Sequence, residues 1–207
     1  MVRDELQNQV KKYPDPLDIS RVEAMRVEDP HLSDEILGVP ITELNIMYPA
    51  NYPYAFVHIF FDSKEKTLIY RVLEPGLTLR EERVLQEIVA ALEDTLTIDF
   101  SSYEEDKLNV FVRNEIEKII KKYKVKMNAS AKERIIYYIL RDFVGYGKIN
   151  PIKEDPNIED ISCDGPKVPI YVYHRVYGST KTNVVFQTHE ELDSFIIKVA
   201  QRCGRHI

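Results

Sequence analysis

The chain has 207 residues, with 28 lysines and arginines against 34 aspartates and glutamates, two cysteines and no tryptophan. Its 44% hydrophobic and 30% charged residues are ordinary for a globular protein, and the length allows one large cored domain or two small ones without disulfides. There is no apolar run near the roughly 18 residues of a membrane-spanning helix, no secretory signal and no cysteine framework or zinc knuckle, so a soluble intracellular protein is expected.

The first forty residues are broken by Pro14, Pro16, Pro30 and Pro40 and read as an extended arm. From Ile41 the pattern changes. Tyr54–Phe61 and Thr67–Leu73 are β-rich runs joined by the polar segment 62–66, which predicts a hairpin, with Pro49 and Pro53 limiting the first strand on its amino-terminal side. Three amphipathic helices follow. Thr78 with Glu81 forms a capping-box pair ahead of Val84, Leu85, Ile88, Val89 and Leu92. Ser101 with Glu104, or Ser102 with Glu105, precedes Leu108, Val112, Ile116 and Ile119. Ser130 with Glu133 opens the third helix, with Ile135, Ile136 and Ile139 on one face and Gly145-Tyr-Gly147 as its stop. Short links predict that the three pack as a bundle.

Beyond Pro151, strands are expected over 157–164, 168–173 and 180–186, with turns at Asp164-Gly165-Pro166 and Tyr177-Gly178-Ser179. Thr188 and Glu191 cap a last helix, expected to turn Leu192, Phe195, Ile196, Val199, Ala200 and Cys203 inward and to end at Gly204. The expected fold class is α+β: a β-hairpin plus three-helix bundle, followed by a small antiparallel β-sheet with a C-terminal helix. The expected division is an arm over 1–40, a hairpin-plus-bundle subdomain over 41–148 and a β-β-β-α subdomain over 149–207.

Charge is uneven along this plan: residues 1–100 carry net −9 and residues 101–207 net +3. The excess base lies between Arg113 and Arg134, where eight lysines and arginines meet three glutamates. Such a run fits a solvated helix face, or a surface for anionic lipid, nucleic acid or an acidic neighbour. Tyr137-Tyr138 beside it is a weak further sign of nucleic acid.

Catalytic signatures are sparse. Gly147-Lys148 is the chain's one Gly-Lys pair, but Asp142 stands where a phosphate-cradling loop needs glycine and Ile149 where it needs a hydroxyl. Gly145-Tyr-Gly147 is half a dinucleotide fingerprint, with Asn150 in the third glycine position and a helix before it instead of a strand. Glu154, Asp155, Glu159, Asp160 and Asp164 lack calcium-loop spacing and read as a solvated turn. Cys163 with His174 would form a nucleophile–base pair if their strands align, although a strand cysteine is usually a small packing residue. His58 reads as a sheet histidine, and His189 and His206 as helix-end residues. Arg175 at a hairpin, and Arg202 and Arg205 around Gly204, are surface arginines of the kind that also supply guanidinium forks to phosphate charge.

The carboxyl-terminal third is more specific. Arg141-Asp-Phe-Val-Gly-Tyr-Gly-Lys-Ile-Asn-Pro151 is followed by Asp155-Pro-Asn-Ile-Glu-Asp-Ile-Ser-Cys-Asp-Gly165, Pro169-Ile-Tyr-Val-Tyr-His174 and Ala200-Gln-Arg-Cys-Gly-Arg-His-Ile207. Residues 140–207 closely resemble the amino-terminal domain of archaeal type II/IV secretion ATPases, the group that includes the archaellum motor and type IV pilus assembly ATPases. The hairpin and helices look like the same family with less specific motifs. The resemblance implies a hexameric, RecA-like motor downstream of residue 207, using ATP and Mg2+. The present chain would be its regulatory and docking domain, moving against the motor on ATP turnover, with no metal site and no ATP hydrolysis of its own. Gly204-Arg205 matches the family's Gly-Arg before the linker, and Arg205, Arg202 and Arg175 are the implied nucleotide-cleft arginines. Implied partners are the chain's own C-terminal motor domain, other subunits of a homohexamer, a polytopic membrane platform protein and cytoplasmic motor-complex proteins, with nucleic acid not among them. The implied location is cytoplasmic, peripheral at the membrane face. Two rivals remain at this level: a stand-alone protein- or nucleic-acid-interaction module using the basic helix 113–134, and a small cysteine hydrolase on Cys163 and His174.

Overall fold

The computed structural model describes residues 35–36, 39–95 and 105–203. The expected arm over 1–40 lies almost wholly outside them, as do the Ser101/Ser102 helix start, Gly204, Arg205 and His206. The chain is mixed α and β, as its composition and periodicity predict. Strands β1 (Glu35–Ile36) and β2 (Val39–Pro40) form a two-residue ladder. Then come β3 (Asn45–Asn51), β4 (Ala55–Asp62), β5 (Thr67–Leu73), α1 (Leu79–Thr95), α2 (Glu105–Lys122) and α3 (Ala129–Phe143). After a 3-10 turn at Gly147–Ile149 follow α4 (Asn150–Lys153), β6 (Ile158–Ser162), β7 (Pro169–His174), β8 (Gly178–Val185) and α5 (His189–Arg202).

The described residues gather into two compact units, and neither is continuous in sequence. One takes the chain up to Glu74 together with Pro151–His189; the other takes Pro75–Asn150 with the chain from Glu190. The expected 41–148 and 149–207 division differs from this in two ways. It grouped the hairpin with the helices, whereas one six-stranded sheet, in the order β3-β4-β5-β8-β7-β6, joins the hairpin to the later strands. It also grouped the last helix with the late strands, whereas α5 belongs to the helical unit.

In the sheet unit, β4 and β5 pair from Phe56↔Leu73 to Asp62↔Thr67. Asp62 closes their turn by accepting from the backbone N–H of Lys64 and Glu65 at 2.8 and 3.1 Å. The added strand β3 pairs with β4 alone and so lies at the sheet edge, where Pro49 removes no ladder bond to a further strand. The seam between early and late strands is the parallel pair β5–β8, matched at Ile69↔Lys181 and Tyr70↔Thr182. Asn183 lengthens that seam: its Oδ1 accepts from Val72 N at 2.7 Å and its Nδ2 donates to Val72 O at 3.0 Å. A side-chain amide thus completes the ladder where backbone pairing stops. β7 alternates inward Ile170, Val172 and His174 with outward Tyr171 and Tyr173.

The helical unit is built on aliphatic stripes. Ile88 and Leu92 from α1, Leu108, Val112, Ile116 and Ile119 from α2, and Ile135, Ile136 and Ile139 from α3 form one buried cluster. Each such side chain contributes about 1.5–3 kcal/mol by leaving water. The Thr78–Glu81 box forms as expected, with Thr78 N donating to Glu81 Oε2 at 2.8 Å and Glu81 N to Thr78 Oγ1 at 3.3 Å. The cap of α3 is Asn128 and not Ser130: Asn128 Oδ1 accepts from Ala131 N at 2.7 Å, while Ser130 Oγ accepts from Arg134.

Candidate functional site

At the end of α3 the backbone explains the residue types of Gly145-Tyr-Gly147 and Asn150. Val144 N and Gly145 N both donate to Leu140 O at 2.9 Å. A Cβ on Gly145 would stand 2.5 Å from Asn150 Oδ1 and 2.7 Å from Arg141 O, so a side chain there is excluded. Asn150 Oδ1 accepts from Tyr146 N at 2.9 Å, and Gly147 takes φ +59°, the left-handed region open to glycine. Gly147-Lys148 therefore forms a turn, and Lys148 Nζ pairs with Glu191 Oε1 at 2.5 Å.

Two cations of α5, four residues apart, complete this end. Lys198 Nζ donates to the carbonyl of Asp142 and Arg202 Nη2 to that of Val144. The Arg202 guanidinium also lies 4.6 Å from the centroid of the Tyr146 ring. Cations at carbonyls left over by a helix end complement its partial negative charge. Burial pulls the Lys198 ammonium down to about 8; neighbouring Arg202 adds to this and Asp142 opposes it. None of its residues is fully buried, and Ile196, expected to face inward, and its neighbour Ile197 are 47% and 45% exposed. Of the face expected inward, Leu192, Phe195, Val199 and Ala200 are half-buried, whereas Ile196 and Cys203 are exposed.

Among the expected arginines, Arg202 is held at the α3 end. Arg175 lies between β7 and β8 in the sheet unit, half exposed, with Nε 3.4 Å from Glu159 Oε1 and its N–H donating to Asn157 O at 2.8 Å. Arg205 lies outside the described residues.

The sheet unit holds a buried polar network that residue types did not announce. Asp155 Oδ2 accepts from Tyr48 Oη at 2.5 Å and from Tyr70 Oη at 2.8 Å. Its Oδ1 accepts from Asn157 N and Nδ2 at 2.9 and 2.8 Å. His174 Nδ1 accepts from the N–H groups of Val176 and Tyr177, so the imidazole proton sits on Nε2, 3.3 Å from Tyr48 Oη. The hydrogen-bond chain therefore runs from His174 through Tyr48 to Asp155. Asp155 and His174 are each 2% exposed, and burial pushes His174 down to about 4, with Arg175 adding to the effect and Asp155 opposing it. Burial also pushes both phenols well above the ordinary tyrosine range. Both phenols, the imidazole and the Asn157 amide each find a partner within this buried network, which suits a lock on the sheet.

One rival reading ends here, and the expected solvated turn is corrected at one residue, Asp155. Cys163 is exposed whereas His174 is turned into the network, so no nucleophile–base pair forms. Among the acidic residues, Asp155 is buried in hydrogen bonds while Glu154, Glu159, Asp160 and Asp164 are exposed, and the described residues contain no metal-binding cluster. The local signal for Asp155 was its Asp-Pro-Asn turn, but its phenol partners are 107 and 85 residues away.

The basic run splits in two. Arg113 pairs with Glu133, Lys118 with Glu115, Lys132 with Glu117 and Arg134 with Glu81. Lys121, Lys122, Lys124 and Lys126 remain exposed. No helix of the described residues is long and apolar enough to cross a membrane.

No family model matches the chain. It is 37% identical over 153 residues to the uncharacterized protein MJ1288 of Methanocaldococcus jannaschii, covering 74% of this chain and 61% of that protein. It is 27% identical over 189 residues to the uncharacterized protein MJ0900 of the same organism, covering 79% of this chain and 32% of that protein. The chain thus spans about three-fifths of one relative and a third of the other.

Proposed function

We propose that the chain is the amino-terminal regulatory and docking domain of a hexameric secretion-type ATPase that powers archaellum or type IV pilus assembly or secretion. ATP and Mg2+ would bind to a RecA-like motor domain beyond this chain, and ATP turnover would move this domain against the motor. The observation that carries the proposal is α5, an amphipathic helix fastened by Lys198, Arg202 and Glu191 with no buried residue and with Ile196 and Ile197 open. A helix face of that kind is suited to burial against a further domain. The resemblance of 140–207 to secretion ATPases and the greater length of the two relatives support the same role. Arg205, Arg202 and Arg175 are the arginines assigned to the nucleotide cleft. The partners are the motor, the other subunits and a polytopic platform protein, placing the chain at the cytoplasmic membrane face.

The gene read past the codon for Ile207 tests this directly. A G-x-x-x-x-G-K-[ST] motif within about 100 codons supports the role, and a stop codon there removes it. In the longer enzyme, Arg205→Ala is expected to lower ATP turnover about tenfold or more. Unchanged turnover would take Arg205 out of the cleft.

A further inference from the structure

The α2–α3 link carries more charge in space than in sequence. Arg80, in the first turn of α1, donates from Nη2 to Lys126 O at 3.2 Å, which brings the start of α1 to the end of α2. Five exposed cations therefore share one end of the bundle: Arg80 and the four lysines at 121, 122, 124 and 126. None of the five has an ion pair among the described residues; Glu81 is buried and engaged by Arg134, and Glu82 is the exposed acid of that first turn.

Two large apolar side chains stand at the same end. Leu79 is 75% exposed and Tyr123 60% exposed, with Lys122 Nζ 5.3 Å from the Tyr123 ring. The backbone also holds a lysine where glycine is the usual choice. Val125 N donates to Ile120 O and Lys124 N to Lys121 O, the pattern of a helix closed by a left-handed residue, and that residue is Lys124 at φ +51°. A charge is kept at a position where its backbone is strained.

We propose that this end of the bundle binds the surface of an anionic bilayer, the five cations facing lipid phosphates while Leu79 and Tyr123 enter the headgroup boundary. Leu79 decides between this and nucleic acid: it has no ring to stack on a base, and it gains from contact with acyl chains. The proposal rests on the bundle's own residues and stands whether or not a motor domain follows.

The test is flotation of the full chain with vesicles of phosphatidylcholine and phosphatidylglycerol, and of phosphatidylcholine alone. Binding is expected on the anionic vesicles, falling at least tenfold at high salt, with none on the neutral ones. Lys122→Glu with Lys124→Glu changes four unit charges and is expected to lower partition about 600-fold, at roughly fivefold per unit charge. Lys124→Gly should weaken binding about fivefold while raising the urea midpoint, which separates loss of charge from loss of fold. Leu79→Ser should weaken binding severalfold with charge unchanged. Failure to bind anionic vesicles, indifference to Leu79→Ser, or tighter binding to a single-stranded 20-nucleotide DNA than to vesicles would each overturn the proposal.

Discussion

The sheet unit and the helical unit solve the same problem with different chemistry. The helices bury an aliphatic cluster whose members are interchangeable in kind, and apart from Arg134–Glu81 the ion pairs named above lie toward the surface. The sheet buries Tyr48, Tyr70, Asp155, Asn157 and His174, each defined by a particular hydrogen bond. An aliphatic core tolerates swaps of similar volume, whereas a buried polar core accepts one arrangement and penalises any missing partner. Register is therefore fixed in the sheet by atoms, and helix placement in the bundle by volume.

The sharpest way to break this contrast is Asp155→Ala. It strands two phenols and an amide in the interior and is expected to cost about 4 kcal/mol, a large share of the roughly 5–15 kcal/mol that stabilises a domain. In the bundle, Ile116→Val should cost only about 1 kcal/mol. Urea unfolding followed through the amide signals of β5 and α2 reads the two units separately. Equal costs would mean that the network is incidental.

Acid gives the next effect. His174 is held at about 4 when folded, against an ordinary 6.5, so the unfolded chain binds the extra proton between those values. The stabilisation tied to neutral His174 is present above pH ~6.5 and drains away as pH falls toward ~4, by about 3 kcal/mol. The loss should appear in β5 and spare α2; equal losses in both units would place the acid sensitivity elsewhere.

The smallest effect sharpens the contrast from the other side. Asn128→Ala removes the α3 cap and should cost about 1 kcal/mol, read in the signals of α3 alone. A loss spreading to β5 would show that the two units unfold together.

Legibility in the sequence followed the range of the interactions. Helices α1 to α3 and their inward faces were readable because period and caps act within a few residues. The capping box at Thr78 and Glu81 forms as its spacing predicts, whereas Asn128 does not stand out in the sequence because Ser130 presents the same spacing to Glu133. Strand β3 does not show in the sequence because Pro49 reads as a strand limit, and only pairing shows that it sits on an edge. The Asp155 network and the β5–β8 seam were hidden for a common reason: their partners meet only after the chain between them has folded. Arg80 joining the lysines of the α2–α3 link is the same lesson at the surface.

The amide of Asn183 on Val72 also has a consequence for how the chain is made. Its two ends are 111 residues apart, with the whole helical segment between them. At ribosomal speeds of roughly 5–20 residues per second, β5 waits on the order of 5–20 s for β8 to be synthesised. During that interval β3, β4 and β5 can pair with one another while the inner edge of β5 stays open to any other strand. The bundle needs only local contacts and can form in that interval, shortening the loop that the seam must close. Slower translation, or a tether that delays the bundle, would lengthen the exposure of that edge, and aggregation during synthesis would begin there.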